Sequence, residues 1–238
     1  MLEDSGIPLV VAGMLLATLF MAAVLKRYQE YQARVRSLVQ RIERGLNTIE
    51  SALQILHAVP LTHELRVILY GDVVARYERI RVLYRKFPDL KERLQQARQT
   101  LQAQGPAATG GVGAIDSEQV FRQRIDALDQ LIALIRDAET VRPVPQDVRR
   151  ILLRELGERR AEVMARFHLV ASRRLKHEGR ASRARAHLTT LMQVLRSRGP
   201  STDFVRELYR EAQSALHDFD DHGATGGDPH MADDVARA

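Results

Sequence analysis

One uninterrupted apolar run constrains this chain more than any other feature of its sequence. The run covers residues 7–25, nineteen residues that carry no charge and whose only polar side chain is that of Thr18. As an α-helix it would be roughly 28 Å long, close to the hydrocarbon thickness of a bilayer. We therefore predict one transmembrane helix at residues 7–25, preceded by a short N-terminus at residues 1–6.

A cleaved signal peptide and a buried core helix are the two other interpretations of this run. A cleaved signal peptide begins with a basic segment, whereas the residues before this run include Glu3 and Asp4 and no basic residue. A buried core helix is usually shorter and carries a polar stripe. Both alternatives are favoured less than the membrane span.

The charges that flank the run predict its orientation. Lys26 and Arg27 follow it directly, and Arg34 and Arg36 come shortly after. Because basic residues stay on the cytoplasmic side, we expect residues 1–6 outside and the remaining chain in the cytoplasm, with the protein in a bacterial inner (cell) membrane. Gly13 and Ala17 form a small-residue pair through which two such anchors could pack, which predicts self-association as one of the contacts.

The rest of the chain has the pattern of an all-α protein. Apolar residues recur at 3,4 spacing from Tyr28 to Val59, which predicts a long coiled-coil-like helix continuous with the anchor and ended by Pro60. Further helical stripes separated by Gly, Pro and Ser signals predict a cytoplasmic helical bundle. The predicted parts are a first helical repeat at 26–104, a Gly/Ala-rich linker at 105–116, a second repeat with a terminal helix at 117–219, and a disordered acidic tail at 220–238.

An internal repeat underlies this division. Shifting the chain by 83 residues places the proline turn at Pro60 on the one at Pro143 without a gap. The identical pairs downstream are Arg66 with Arg149, Ile68 with Ile151, Leu69 with Leu152, and Arg76 with Arg159. Heptad coincidence is the alternative, but the shared proline and arginines favour two related helical hairpins.

Signatures of catalysis are weak in this sequence, and we expect a non-enzyme without a cofactor, metal or small-molecule substrate. The chain has no cysteine, and the glycine-rich stretch at 105–114 lacks the Lys-Ser/Thr pair of a phosphate-binding loop. Only the histidines offer titratable candidates, and each is interpreted as a solvated or structural side chain: His57, His63, His168, His177, His187, and His217 with His222 beside Asp218, Asp220 and Asp221.

The basic residues concentrate in one part of the chain. Residues 142–198 carry 15 basic and 5 acidic side chains, and from 173 to 185 the only acid is Glu178. The candidate surface for an anionic partner comprises Arg173, Arg174, Lys176, Arg180, Arg183 and Arg185.

Two functions follow as expectations. The first is a single-pass, membrane-anchored helical scaffold or adaptor that presents its bundle to protein partners. The second is a membrane-bound tether that binds nucleic acid or anionic lipid through residues 173–185. Nucleic acid is favoured less than a protein partner, because no aromatic side chains are interleaved with the arginines for base stacking.

Overall fold

The chain folds into a helical bundle with one long projecting helix. The computed structural model describes residues 6–84, 87–105 and 110–224, and the side chains of these residues except 6–12 and 220–224. Within them every regular element is a helix and no strand occurs, as the sequence predicts for an all-α fold. The helices are α1 (Gly6–Ile55), a short 3-10 helix (Leu56–Ala58), α2 (His63–Leu83), α3 (Leu90–Gln102), α4 (Glu118–Arg136), α5 (Gln146–His177), α6 (Ala181–Arg198) and α7 (Asp203–Ala224).

Helix α1 is one continuous rod of 50 residues, as the unbroken apolar pattern predicts. It tightens into the 3-10 helix and ends before Pro60. The hydroxyl of Thr62 then accepts a hydrogen bond from the Leu65 N–H at 3.3 Å and caps α2, which satisfies one of the free donors at the start of that helix. The next proline turn, in the connection between α4 and α5, likewise separates two helices that pack against each other.

The predicted transmembrane helix is not supported. Among the residues that the structure describes, no helix is long and apolar enough to cross a membrane. From Gly13, where the described side chains begin, the uncharged run lasts to Leu25 and is then ended by Lys26 and Arg27. The predicted N-terminus at residues 1–5 lies outside the described residues.

The first hydrophobic core lies where α1 enters the bundle. From Val39 onward the apolar side of α1 packs against α2 and α4, while α3 covers α2 and the first half of α5 covers α4. The largest fully buried side chains here come from five elements of the chain: Leu46, Ile49, Leu56, Leu65, Leu69, Ile80, Leu128, Leu131, Ile135, Leu152 and Leu156.

A second core follows at the other end of α5. The second half of this helix packs against α6 and α7 around Leu169, Leu188, Leu191 and Leu208. Because α5 contributes to both cores, it joins the part formed with α1, α2, α3 and α4 to the three-helix part at the C-terminal end.

The segment that leads into α4 differs from the expected linker. Val112 and Ile115 are buried in the first core at 4% and 2% exposure. The carboxylate of Glu162 accepts a hydrogen bond from the Val112 N–H at 2.7 Å, and a Cβ at Gly111 would lie only 2.7 Å from that carboxylate. Residues 110–115 therefore form a strap fixed to α5, while residues 106–109 lie outside the described part.

The end of the chain also differs in one respect. The predicted disordered tail begins at residue 220, whereas α7 continues to Ala224. The rest of the tail, residues 225–238, lies outside the described residues.

Candidate functional site

The free end of α1 is the most unusual surface of the described structure. Residues 13–25 lie outside both hydrophobic cores, and large apolar side chains along them are exposed, from Val24 at 48% to Phe20 at 74%. A contiguous exposed apolar surface of this kind marks a site that meets a membrane or another protein.

The small-residue pair predicted for helix contacts lies on this end. Gly13 and Ala17 are both exposed, and a Cβ at Gly13 would have no atom within 4 Å. The described bundle therefore leaves these two positions open to another molecule, and the predicted packing of two anchors stays a prediction.

The predicted arginine surface surrounds the corner between α5 and α6. Gly179 turns the chain there with a φ of 71°, in the left-handed region that favours glycine after a helix. The six basic side chains lie on both sides of this glycine and are all exposed: Arg173, Arg174, Lys176, Arg180, Arg183 and Arg185.

Part of this surface is engaged within the chain. Glu178 lies 3.9 Å from Arg174 and 3.2 Å from Arg180, and the Lys176 ammonium lies 4.5 Å from the ring centre of Phe219. Arg185 also has an interaction within the described part. Arg173 and Arg183 have no ion-pair partner among the described residues, so these two guanidinium groups are the ones left for an external anion.

The buried charges of the first core hold helices together. Asp72 pairs with Arg76 at 2.7 Å, and the Arg76 guanidinium also donates to the Glu139 carbonyl oxygen at 2.6 Å. Arg76 passes directly over Gly45 of α1, where a Cβ would clash with the guanidinium. Gly45 is therefore required by this close approach.

A second structural pair links α1 and α2. The Tyr77 hydroxyl donates to the Glu50 carboxylate at 2.9 Å. Burial, and then the hydrogen bond to Glu50, raise the pKa of Tyr77 to about 12. The phenol therefore stays protonated at neutral pH and serves as a donor between the helices.

Sequence reasoning missed one histidine pair. His168 on α5 and His187 on α6 approach with their Nδ1 atoms 3.1 Å apart, beside the stacked rings of Phe121 and Phe167. Burial, with a smaller contribution from the charge of His187, lowers the pKa of His168 to about 4. His168 is therefore neutral at pH 7, and one Nδ1 donates to the other.

This pair leaves no signal in the sequence, because its members are 19 residues apart on different helices. Two other histidines contact backbone carbonyl groups. The Nδ1 atom of His57 lies 3.0 Å from the Gln54 carbonyl oxygen on the preceding turn, and that of His63 lies 3.1 Å from the Gly105 carbonyl oxygen just beyond the end of α3. No group of three or more metal-ligating side chains occurs in the described part of the chain. The side chains of Asp220, Asp221 and His222 lie outside it.

No protein-family model, curated protein or solved structure matches this chain.

Proposed function

We propose that this chain is a membrane-tethered helical scaffold that acts by binding other proteins and carries out no chemistry itself. The observation that carries the proposal is the exposed apolar end of α1, which projects from an otherwise well-packed bundle. Exposing such side chains to water is costly, at about 25 cal/mol per Å² of apolar surface. A membrane removes that cost for the whole segment at once.

The proposed tether combines the exposed residues 13–25 with residues 7–12, whose sequence is also uncharged. Together they supply the nineteen-residue apolar length that a bilayer requires. The basic residues that follow at 26 and 27 suit the headgroup region of the cytoplasmic leaflet. In this proposal the body lies on the cytoplasmic side of the cell membrane.

The scaffold role rests on how the body uses its buried polar groups. Asp72, Arg76 and Glu162 are each buried, and each bonds to another helix or to the connection that precedes one. These groups stabilise the arrangement of the helices, which leaves the outer helix faces as the surfaces for partners.

A second candidate function is supported by the free arginines. Arg173 and Arg183 are exposed without an ion-pair partner among the described residues, in a stretch whose only acid is Glu178. Such a surface suits nucleic acid or anionic lipid. Binding through it would weaken steeply with added salt, whereas a packed protein interface would not.

Crosslinking in living cells followed by purification through a C-terminal tag, with and without nuclease, tests the proposal. The scaffold function predicts a discrete protein partner in both samples. Nucleic acid that is present only without nuclease and is released by salt would contradict it and support the arginine surface. Recovery of this chain alone would also contradict a scaffold for other proteins.

A further inference from the structure

The apolar seam of α1 continues beyond the bundle. Its 3,4 spacing places one apolar residue at every expected position from 14 to 38, and the series is Met14, Ala17, Met21, Val24, Tyr28, Tyr31, Val35 and Leu38. The same series then continues into the first core, where Ile42, Ile49, Ala52, Leu56 and Val59 are at most 7% exposed. One continuous seam is therefore exposed from Met14 to Tyr31 and buried from Ile42 onward, with Val35 partly buried against the first core.

The width of the seam changes where burial begins. Between residues 28 and 38 the stripe is narrow, because the neighbouring position on its flank is Gln32. From residue 39 onward that flanking position is apolar, with Val39, Leu46 and Leu53 all buried. A widened stripe is typical of a helix inside a bundle, whereas a narrow one is typical of a two-stranded coiled coil.

Two tyrosines mark the uncovered part. Tyr28 is 59% exposed and Tyr31 is 65% exposed, and both follow the charged residues Lys26 and Arg27, beyond the end of the uncharged run. The Tyr28 hydroxyl accepts a hydrogen bond from Gln32 at 2.7 Å, which leaves the ring face open. Lipid tails would not cover side chains at this position, since polar residues surround the narrow stripe.

Among the residues that the structure describes, no segment covers the seam between residues 14 and 31. The stretches outside the described residues are 1–5, 85–86, 106–109 and 225–238, and the only long one has no apolar periodicity. A second copy of the chain carries the same seam in the same register and so provides a matching surface with two-fold symmetry.

We propose that the chain forms a parallel homodimer through the exposed α1 seam at residues 14–31. The flanking residues agree with this direction, because a parallel pair places Arg27 of one copy beside Gln32 of the other, without like charges in contact. The inference rests on the proposed function in one respect, since a shared membrane gives both copies the same direction. The small residues Gly13 and Ala17 allow close approach at one end.

Disulfide crosslinking of the full chain in detergent and in membranes tests the dimer directly, because the native chain has no cysteine. Single cysteines are introduced on the seam as Val24→Cys, Tyr28→Cys and Tyr31→Cys. Matched controls on other exposed faces of the same turns are Gln29→Cys and Ala33→Cys. All five positions are exposed in the single chain, so exposure alone predicts no difference between them.

The expected result is several-fold more disulfide-linked dimer from the seam positions than from the controls after mild oxidation. Equal crosslinking at all five positions, or no crosslinking at any, would overturn the inference. Membrane association of the same samples is measured separately by sedimentation. A membrane-bound chain without the seam pattern would overturn only the dimer, whereas a seam pattern in detergent without membrane binding would overturn only the tether.

A second variant gives an independent measure. Tyr31→Glu places a charge on the seam, and we expect it to reduce the mass of the full chain in detergent from dimer to monomer. Ala33→Glu adds the same charge two residues away and should leave the dimer intact. An unchanged mass for Tyr31→Glu would also overturn the inference.

Discussion

Asp72 of α2 bonds to the connection before α5, and Glu155 of α5 bonds in return to the connection before α2. Asp72 on α2 accepts a hydrogen bond from the Val141 N–H, just before α5, at 2.5 Å. Glu155 on α5 accepts from the Thr62 N–H, just before α2, at 2.7 Å, and from the Thr62 hydroxyl at 2.7 Å. The two acids are 83 residues apart, which is the offset of the predicted repeat, so they occupy equivalent positions in the two predicted hairpins.

Because each acid lies on one predicted hairpin and bonds to the connection before the second helix of the other, we predict that each acid stabilises both hairpins. Asp72→Asn should lower the free energy of unfolding by about 3–5 kcal/mol, because it leaves Arg76 buried without its carboxylate. Glu155→Gln should cost only about 1 kcal/mol, since the amide oxygen still accepts one of the two hydrogen bonds. Urea titration followed by circular dichroism measures both. Glu158→Gln on the same helix is the control, and a larger loss for the control than for Asp72→Asn would contradict this assignment.

Substituting alanine for each of two helical glycines should change the free energy of unfolding in opposite directions. Gly45→Ala should lower the free energy of unfolding by about 1–3 kcal/mol, because the new methyl group meets the Arg76 guanidinium. Gly71→Ala in α2 has no atom within 4 Å of the new methyl group. It should raise stability by about 0.5–1 kcal/mol through helix propensity. Equal effects at the two sites would show that Arg76 does not lie over Gly45.

The strap at residues 110–115 is buried, although its composition suggests a linker. We therefore predict that truncating a side chain in it lowers the stability of the fold. Ile115→Ala should lower the free energy of unfolding by about 2–5 kcal/mol, as for other fully buried aliphatic side chains. Val82→Ala removes an apolar side chain that is 79% exposed and should change stability by less than about 0.5 kcal/mol. Thermal melting of the two variants distinguishes a packed strap from a free linker.

The histidine pair predicts a pH dependence with a defined sign. The pKa of His168 is about 4 in the folded chain and 6.5 in its ordinary range, so the unfolded chain binds more protons between these values. Its contribution to stability is complete above pH 6.5 and is lost as the pH falls toward 4. His168→Asn should flatten this part of the profile of melting temperature against pH. The exposed His57→Asn serves as the control, and an unchanged slope for His168→Asn would contradict a buried neutral imidazole.

Much of the fold could be predicted from the sequence, because the residues that start and end each helix lie at its boundaries. Pro60, Gly179 and the Gly199-Pro200 pair each mark the end of a helix, because proline lacks a backbone donor and glycine readily adopts the left-handed conformation. Thr62 and Ser117 cap α2 and α4 as their side chains predict. Such signals act within a few residues and can be seen in a single sequence.

Contacts between helices could not be predicted in the same way. The bond from Val112 to Glu162 joins residues 50 apart, and the His168–His187 pair depends on how α5 packs against α6. The arginine surface shows the same limit: sequence located its six basic residues, but only the structure shows that Glu178 and Phe219 engage three of them. Pairing of this kind depends on the packing angle of two helices, which periodicity does not specify.

The tether is tested most directly by flotation of the full chain with lipid vesicles after an alkaline wash. We expect the native chain to float with the vesicles, and Leu16→Arg with Phe20→Arg to release it, because each buried arginine costs about 2.5–3.5 kcal/mol on insertion. Val82→Arg, at an exposed position in the body, should float as the native chain does. A native chain that stays with the soluble fraction, or a double variant that still floats, would contradict the tether.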